Sequence, residues 1–97
     1  MSNLYVQESY VNLDRGYRFG DTPFYESAYS DRGNLFRACV REYGRCTGRV
    51  YVDKRDGTPR AVGWVFIKRM PYDNSRETYT REVWITVCDK PPTETTP

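Results

Sequence analysis

The run at residues 62–67 (VGWVFI) places large apolar side chains on both faces of any strand it forms, and nothing else in the chain constrains the fold as much. Successive strand residues point to opposite faces, so Trp64 and Phe66 share one side while Val65 and Ile67 share the other. The later run at residues 83–87 (VWITV) repeats the pattern, with Val83, Ile85 and Val87 on one face and Trp84, Thr86 and Cys88 on the other. A sheet covered on one side only alternates apolar with polar residues. Two apolar faces call for two covers, and a single segment of this chain reads as a strong helix.

That helix is predicted over residues 31–43. Ser30 and Asp31 supply N-capping oxygens. Leu35, Cys39 and Tyr43 then recur on one stripe with Phe36 and Val40 beside them. Gly44 stands where a C′ glycine ends a helix.

Residues 49–54 alternate cleanly, and Asp56-Gly57 is a strong hairpin turn, with Pro59 beside it where a missing ladder donor is tolerated. This turn sets a register in which Tyr51 faces Val62 and Arg49 faces Trp64. Both pairs then lie on the Trp64/Phe66 face, and Val50, Val52, Ala61, Val65 and Ile67 lie on the other. Residues 78–88 form the third strand, and the β-formers of residues 4–13 suit a fourth. Residues 14–29 carry loop signals (Gly16, Gly20, Asp21-Thr22-Pro23) yet hold Tyr17, Phe19, Phe24, Tyr25 and Tyr29. An aromatic loop of this kind is expected to lie on an apolar surface.

The fold expected is α+β: an antiparallel three- to four-stranded β-meander with one α-helix packed on one face. The helix is assigned to the Val50/Val52/Val65/Ile67 face. The aromatic segment 17–29, or a second copy of the chain in a homodimer, is assigned to the Trp64/Phe66 face. Ninety-seven residues make one domain, placed at residues 1–89, and the Pro/Thr-rich stretch 90–97 is expected to be a disordered tail.

Composition bears on chemistry mainly by what it lacks. There is no His, and the three cysteines (Cys39, Cys46 and Cys88) have no paired spacing. A zinc site would need a fourth ligand, so no metal is expected, and no cofactor motif is present. An odd cysteine count with no visible export signal suits free thiols in a reducing cytoplasm. The longest apolar run is too short to span a membrane. Acid–base catalysis would fall to carboxylates, Tyr or Lys, and no such set stands out. Cys39 sits on the apolar helix stripe, and Cys46 has basic neighbours but no partnering base. No enzymatic activity is expected.

The net charge of +2 is unevenly spread. Residues 31–69 carry ten basic side chains against four acidic ones, while both ends of the chain are acidic. The hairpin collects Arg49, Tyr51, Trp64, Phe66 and Lys68 on one face, and these five are the candidate partner-binding residues. Aromatic platforms flanked by cations bind single-stranded nucleic acid. Residues 60–67 match an RNA-recognition motif signature at Arg60, Gly63 and Val65 but depart at Ala61, Val62 and Ile67. The same residue types dominate protein-binding hot spots. Twelve Arg against three Lys favours planar, bidentate contacts with carboxylates.

The stretches at residues 63–69 (GWVFIKR), 77–79 (ETY) and 81–87 (REVWITV), ending in Lys90-Pro-Pro-Thr93, resemble small accessory proteins of actinobacteriophages, mycobacteriophages in particular. The resemblance covers about a third of the chain. It implies a short phage protein made in the host cytoplasm, without catalytic residues, that binds a host protein in host takeover or counter-defence. The alternative is a nucleic-acid-binding or regulatory protein that uses the basic aromatic hairpin face.

Overall fold

The structure, a computed structural model, describes residues 3–52, 61–73 and 75–91. In chain order the elements are β1 (Tyr5–Asn12), β2 (Tyr17–Asp21), β3 (Tyr25–Glu26), α1 (Arg32–Tyr43), β4 (Arg45–Val52), β5 (Ala61–Pro71) and β6 (Thr78–Cys88). The fold is α+β, with six strands in one antiparallel sheet that does not close and one helix among the described residues. Strands β4, β5 and β6 form the expected meander. The sheet continues past β6 to β1 and then β2, giving the order β2-β1-β6-β5-β4, with the short β3 also paired to β1. The turn at Asp56-Gly57, Pro59 beside it and residues 92–97 of the expected tail lie outside the described residues.

The register of the central hairpin is the one its turn chemistry calls for. Tyr51 pairs with Val62 and Arg49 with Trp64, and a bulge between Cys46 and Gly48 ends the regular ladder. Strand β5 then runs its full length along β6, placing Trp64 opposite Ile85 and Phe66 opposite Val83. Strand β1 extends the same face with Val6 opposite Val87 and Tyr10 opposite Val83.

The helix begins where Asp31 accepts a hydrogen bond from the Asn34 amide at 2.9 Å, an N-cap that satisfies one of the free amides of the first turn. It ends at Gly44, whose φ is +109° and whose amide donates back to the Val40 carbonyl. A Cβ at Gly44 would stand 2.2 Å from the Ile67 carbonyl oxygen. Conformation and space both demand glycine there, and the close contact pins the helix end against β5.

The helix covers the face opposite to the one the sequence suggested. Leu35 and Cys39 are buried together with Leu4, Val6, Phe66, Val83, Ile85 and Val87, and Phe36, Tyr43 and Trp64 pack against that core. Phe36 sits 5.1 Å from the Trp64 ring and 5.8 Å from Phe66, and Tyr43 is 6.2 Å from Phe66. Apolar area explains the choice. Aromatic side chains bury about 150–250 Å² each, so the one available helix gains most on the side that carries Trp64 and Phe66.

The aromatic segment does not lie across a sheet face as a loop either. It folds into β2 and β3 and widens the sheet at the β1 side. Its ring Phe19 packs on Tyr10 and Tyr79 at 5.9 and 6.2 Å. No helix of the described residues is long and apolar enough to cross a membrane.

Candidate functional site

The face turned away from α1 is shallow and curled. A flat five-strand sheet would hold its outer strands about 19 Å apart, yet β2 and β4 border the same hollow. This trough has a volume of about 460 Å³, with Trp84, Thr86, Gln7 and Ser9 on its floor, Arg18 and Asp21 on the β2 side, and Arg49, Val50 and Tyr51 on the β4 side. The right-handed twist and coiling of the sheet bring the two rims toward each other.

Strand alternation places the floor residues. Strand β1 turns Val6 and Tyr10 to the core, so Gln7 and Ser9 face the trough, and Ser9 pairs with Trp84 in the ladder. Trp84 is 42% exposed, and its indole Nε1 donates to Glu82 at 2.5 Å. Val50, Ala61, Val65 and Cys88 are buried on the same side. Small aliphatic residues thus seal the middle of the trough, and Trp84 is the large apolar group left open to solvent on its floor.

The charges of the rim are partly spent. Arg18 pairs with Asp21 at 3.5 Å. Arg49 enters none of the ion pairs among the described residues and is exposed. The trough therefore offers an exposed indole on its floor, with Arg49 and Tyr51 of β4 at its rim.

A second polar centre sits beneath the helix. Glu8 accepts hydrogen bonds from three phenols: Tyr10, Tyr25 at 2.5 Å and Tyr43 at 2.9 Å. Burial pushes its carboxyl up, but these three donors and the Arg81 charge outweigh burial and hold it below the ordinary carboxylate range. The phenols move the other way. Burial and the bond to Glu8 push Tyr10 up to about 12, and the same causes raise Tyr25 and Tyr43. At neutral pH this is one carboxylate held by three protonated tyrosines, tying β1, β3 and α1 together.

Beside this knot a cavity of about 420 Å³ opens between α1 and the β3 segment, with Val6, Leu35 and Ile85 at its base and Tyr25, Tyr29 and Tyr43 on its walls. Cys39 also lines it. Burial and then the Glu8 charge push that thiol up to about 11, so it stays protonated and a poor nucleophile. Burial likewise raises the Cys88 thiol. Among the described residues no three His, Cys, Asp or Glu side chains are grouped to hold a metal ion.

The five residues singled out from the sequence do not form one site. Trp64 is half-buried and Phe66 fully buried under the helix, so both belong to the core and not to an open platform. Arg49 and Tyr51 stand on the trough rim. Their ladder partners, Trp64 and Val62, belong to the helix-side register, so on β4 it is Val50, opposite Gly63, that alternation turns to the trough, with Arg49 and Tyr51 flanking it on the edge. Lys68 is exposed beyond the end of the helix, opposite Arg81.

Trp84 and Glu8 were not anticipated. A signal for Trp84 was present in Gln7 and Ser9, polar residues that β1 sets on its face. The Glu8 knot joins residues 35 positions apart and had no local signal. Comparison with protein-family models, with curated proteins and with solved structures finds no match.

Proposed function

We propose that this chain is a small phage accessory protein that works by binding a host protein in the host cytoplasm, without catalysing a reaction, and that the trough centred on Trp84 is the surface it uses. The observation that carries the reading is the open indole on the trough floor, with Arg49 and Tyr51 of β4 on the rim. Trp, Tyr and Arg are the side chains most enriched at binding hot spots, where a ring fills a pocket and the guanidinium takes a carboxylate. The occupant that fits is a protein segment with an aliphatic or aromatic side chain placed beside an Asp or Glu.

The chemistry elsewhere supports a binding role. The Cys39 and Cys88 thiols are buried and raised, and the Glu8 carboxylate is held ionised by three donors. None of these groups is poised as a nucleophile or as a base near neutral pH.

The test is affinity capture from host lysate treated with nuclease, using the native chain and the variants Trp84→Ala and Arg49→Glu. A nuclease-resistant partner that is retained by the native chain and lost by both variants supports the proposal. A partner held equally well by both variants removes the trough from the interface. Light scattering that gives twice the chain mass for the native protein and the monomer mass for Trp84→Ala would make the occupant a second copy of the chain instead.

A further inference from the structure

On the helix side of the sheet, just past the C-terminal end of α1, two cations face each other. Lys68 on β5 pairs directly with Arg81 on β6. Like charges placed directly opposite across a ladder repel, and neither residue enters an ion pair among the described residues. Arg81 lies over the Tyr10 and Tyr43 rings at 5.7 and 5.9 Å, and its Nε is buried without a hydrogen-bond partner. Glu8 feels the Arg81 charge, but its oxygens take the three tyrosine hydroxyls. A buried donor without a hydrogen-bond partner, beside a second cation with no ion pair among the described residues, marks a place that suits an anion.

One two-residue step along β6, about 7 Å, the same face becomes aromatic. Tyr79 packs against Phe19 at 6.2 Å and against Tyr72 at 4.7 Å. A slot of about 220 Å³ opens there between Tyr17, Phe19, Tyr72 and Tyr79, with Asp73 at its edge. Tyr17 and Phe19 are 48% and 46% exposed, whereas Tyr72 has the Arg15 guanidinium 5.2 Å over its ring as well as Tyr79 beside it, so Tyr17 and Phe19 are the rings open to a ligand. Asn12, buried under the slot, pairs with Arg81 across the β1–β6 ladder and donates to the Tyr72 hydroxyl at 2.9 Å. The slot and the cation pair are thus parts of one surface.

We propose that this surface binds a nucleotide, with the base held in the slot against Tyr17 and Phe19 and the phosphate held by Arg81 and Lys68. The ring faces accept any base by stacking. The Asp73 carboxylate can accept a hydrogen bond from a base amino group. Two cations match the charge of a phosphate, and a guanidinium offers it a forked set of donors. The base-to-phosphate reach of a nucleotide is of the same order as the step between Tyr79 and Arg81. This site is separate from the trough, and of the five hairpin residues singled out from the sequence it uses only Lys68. The same chemistry is presented by a free mononucleotide and by a single strand.

Calorimetric titration of the full chain at low ionic strength tests the proposal with 5′-AMP, adenosine and a short single-stranded oligonucleotide. Lys68→Ala and Phe19→Ala alter exposed side chains, and far-UV circular dichroism checks that both remain folded. 5′-AMP is expected to bind about tenfold or more tightly than adenosine. Lys68→Ala should remove that advantage and leave adenosine binding unchanged, and Phe19→Ala should weaken both ligands by about fivefold or more. An oligonucleotide that binds much more tightly than 5′-AMP identifies a strand as the source, and equal affinity identifies the free nucleotide. Equal affinity of the native chain for 5′-AMP and adenosine, an advantage of 5′-AMP over adenosine that survives Lys68→Ala, or no binding of any of the three overturns the proposal.

Discussion

The two tryptophans divide the sheet. Trp64, on the helix side, has Phe36 5.1 Å from its ring and Phe66 at 6.3 Å. Trp84, on the other side, is 42% exposed above a floor of Gln7, Ser9 and Thr86. Both come from runs that are apolar on both faces, yet among the described residues one face gained a layer and the other gained only curvature. Apolar alternation on both sides therefore does not require two covering layers. Where the second face carries small residues such as Ala61 and Val65, coiling of the sheet is enough to bury them, and the ring on its floor too large to be sealed this way stays open to solvent.

The largest effect is expected where the curvature itself is set. Gly63 is buried on the trough side of β5, and a Cβ there would stand 1.6 Å from the Ile85 carbonyl oxygen. Backbone cannot give way by that much without parting β5 from β6. Gly63→Ala should lose its cooperative thermal transition, a cost of more than about 4 kcal/mol. A variant that melts within a few degrees of the native chain would show that the two central strands do not approach so closely, and the account of the curled face would fail with it.

The covered face comes next. Phe66 is fully buried between the helix rings and Val83, so Phe66→Ala should cost about 3–5 kcal/mol in chemical denaturation. A loss below about 1 kcal/mol would mean that the helix does not rest on this side.

That side was the part of the fold read wrongly from sequence, and the reason is physical. Strand alternation and turn chemistry are local, so the Arg49/Trp64 and Tyr51/Val62 pairs, the helix limits and the Gly44 stop could all be read from residue spacing. Which face the helix chooses depends on the total area each face presents after β1 joins with Leu4 and Val6, and no local pattern contains that sum. Strands β2 and β3 were hidden for a similar reason. Glycines and Asp21-Thr22-Pro23 give this segment turn chemistry, and only pairing with β1 makes it strand. Of the candidate site, Arg49 and Tyr51 reached the trough rim, whereas Trp64 and Phe66 were mistaken for an open platform because the helix had been placed on the wrong face.

The Glu8 knot lies on the covered side and should give that side a pH signature. A carboxyl held below its ordinary value of 4.5 contributes stability that is fully present above that pH and is lost as pH falls through the lower folded value. The raised phenols run the opposite way: the Tyr10 contribution is full below pH 10 and fades as pH rises through about 12. Denaturation midpoints of Glu8→Gln, followed from pH 6 down to pH 2, should show a shallower acid decline than those of the native chain. Parallel declines would mean that the three phenols do not favour the ionised carboxylate.

The smallest effect on stability is expected at the open indole, and its contrast with Trp64 is the sharpest check on the division of the two faces. Trp84→Ala removes a ring that already meets solvent over 42% of its surface together with a hydrogen bond to Glu82, a residue that is itself partly exposed. Its cost should be about 1 kcal/mol or less. Trp64→Ala takes a ring from between Phe36 and Phe66 and should cost about 3 kcal/mol or more. The two variants can be compared in one urea series, because equal slopes would show that neither changes the surface exposed on unfolding. If the two midpoints fall together, both rings are core and the trough holds no spare surface. If Trp84→Ala alone stays near the native midpoint, the ring contributes little to holding the domain together, and its exposure is left to be explained by binding.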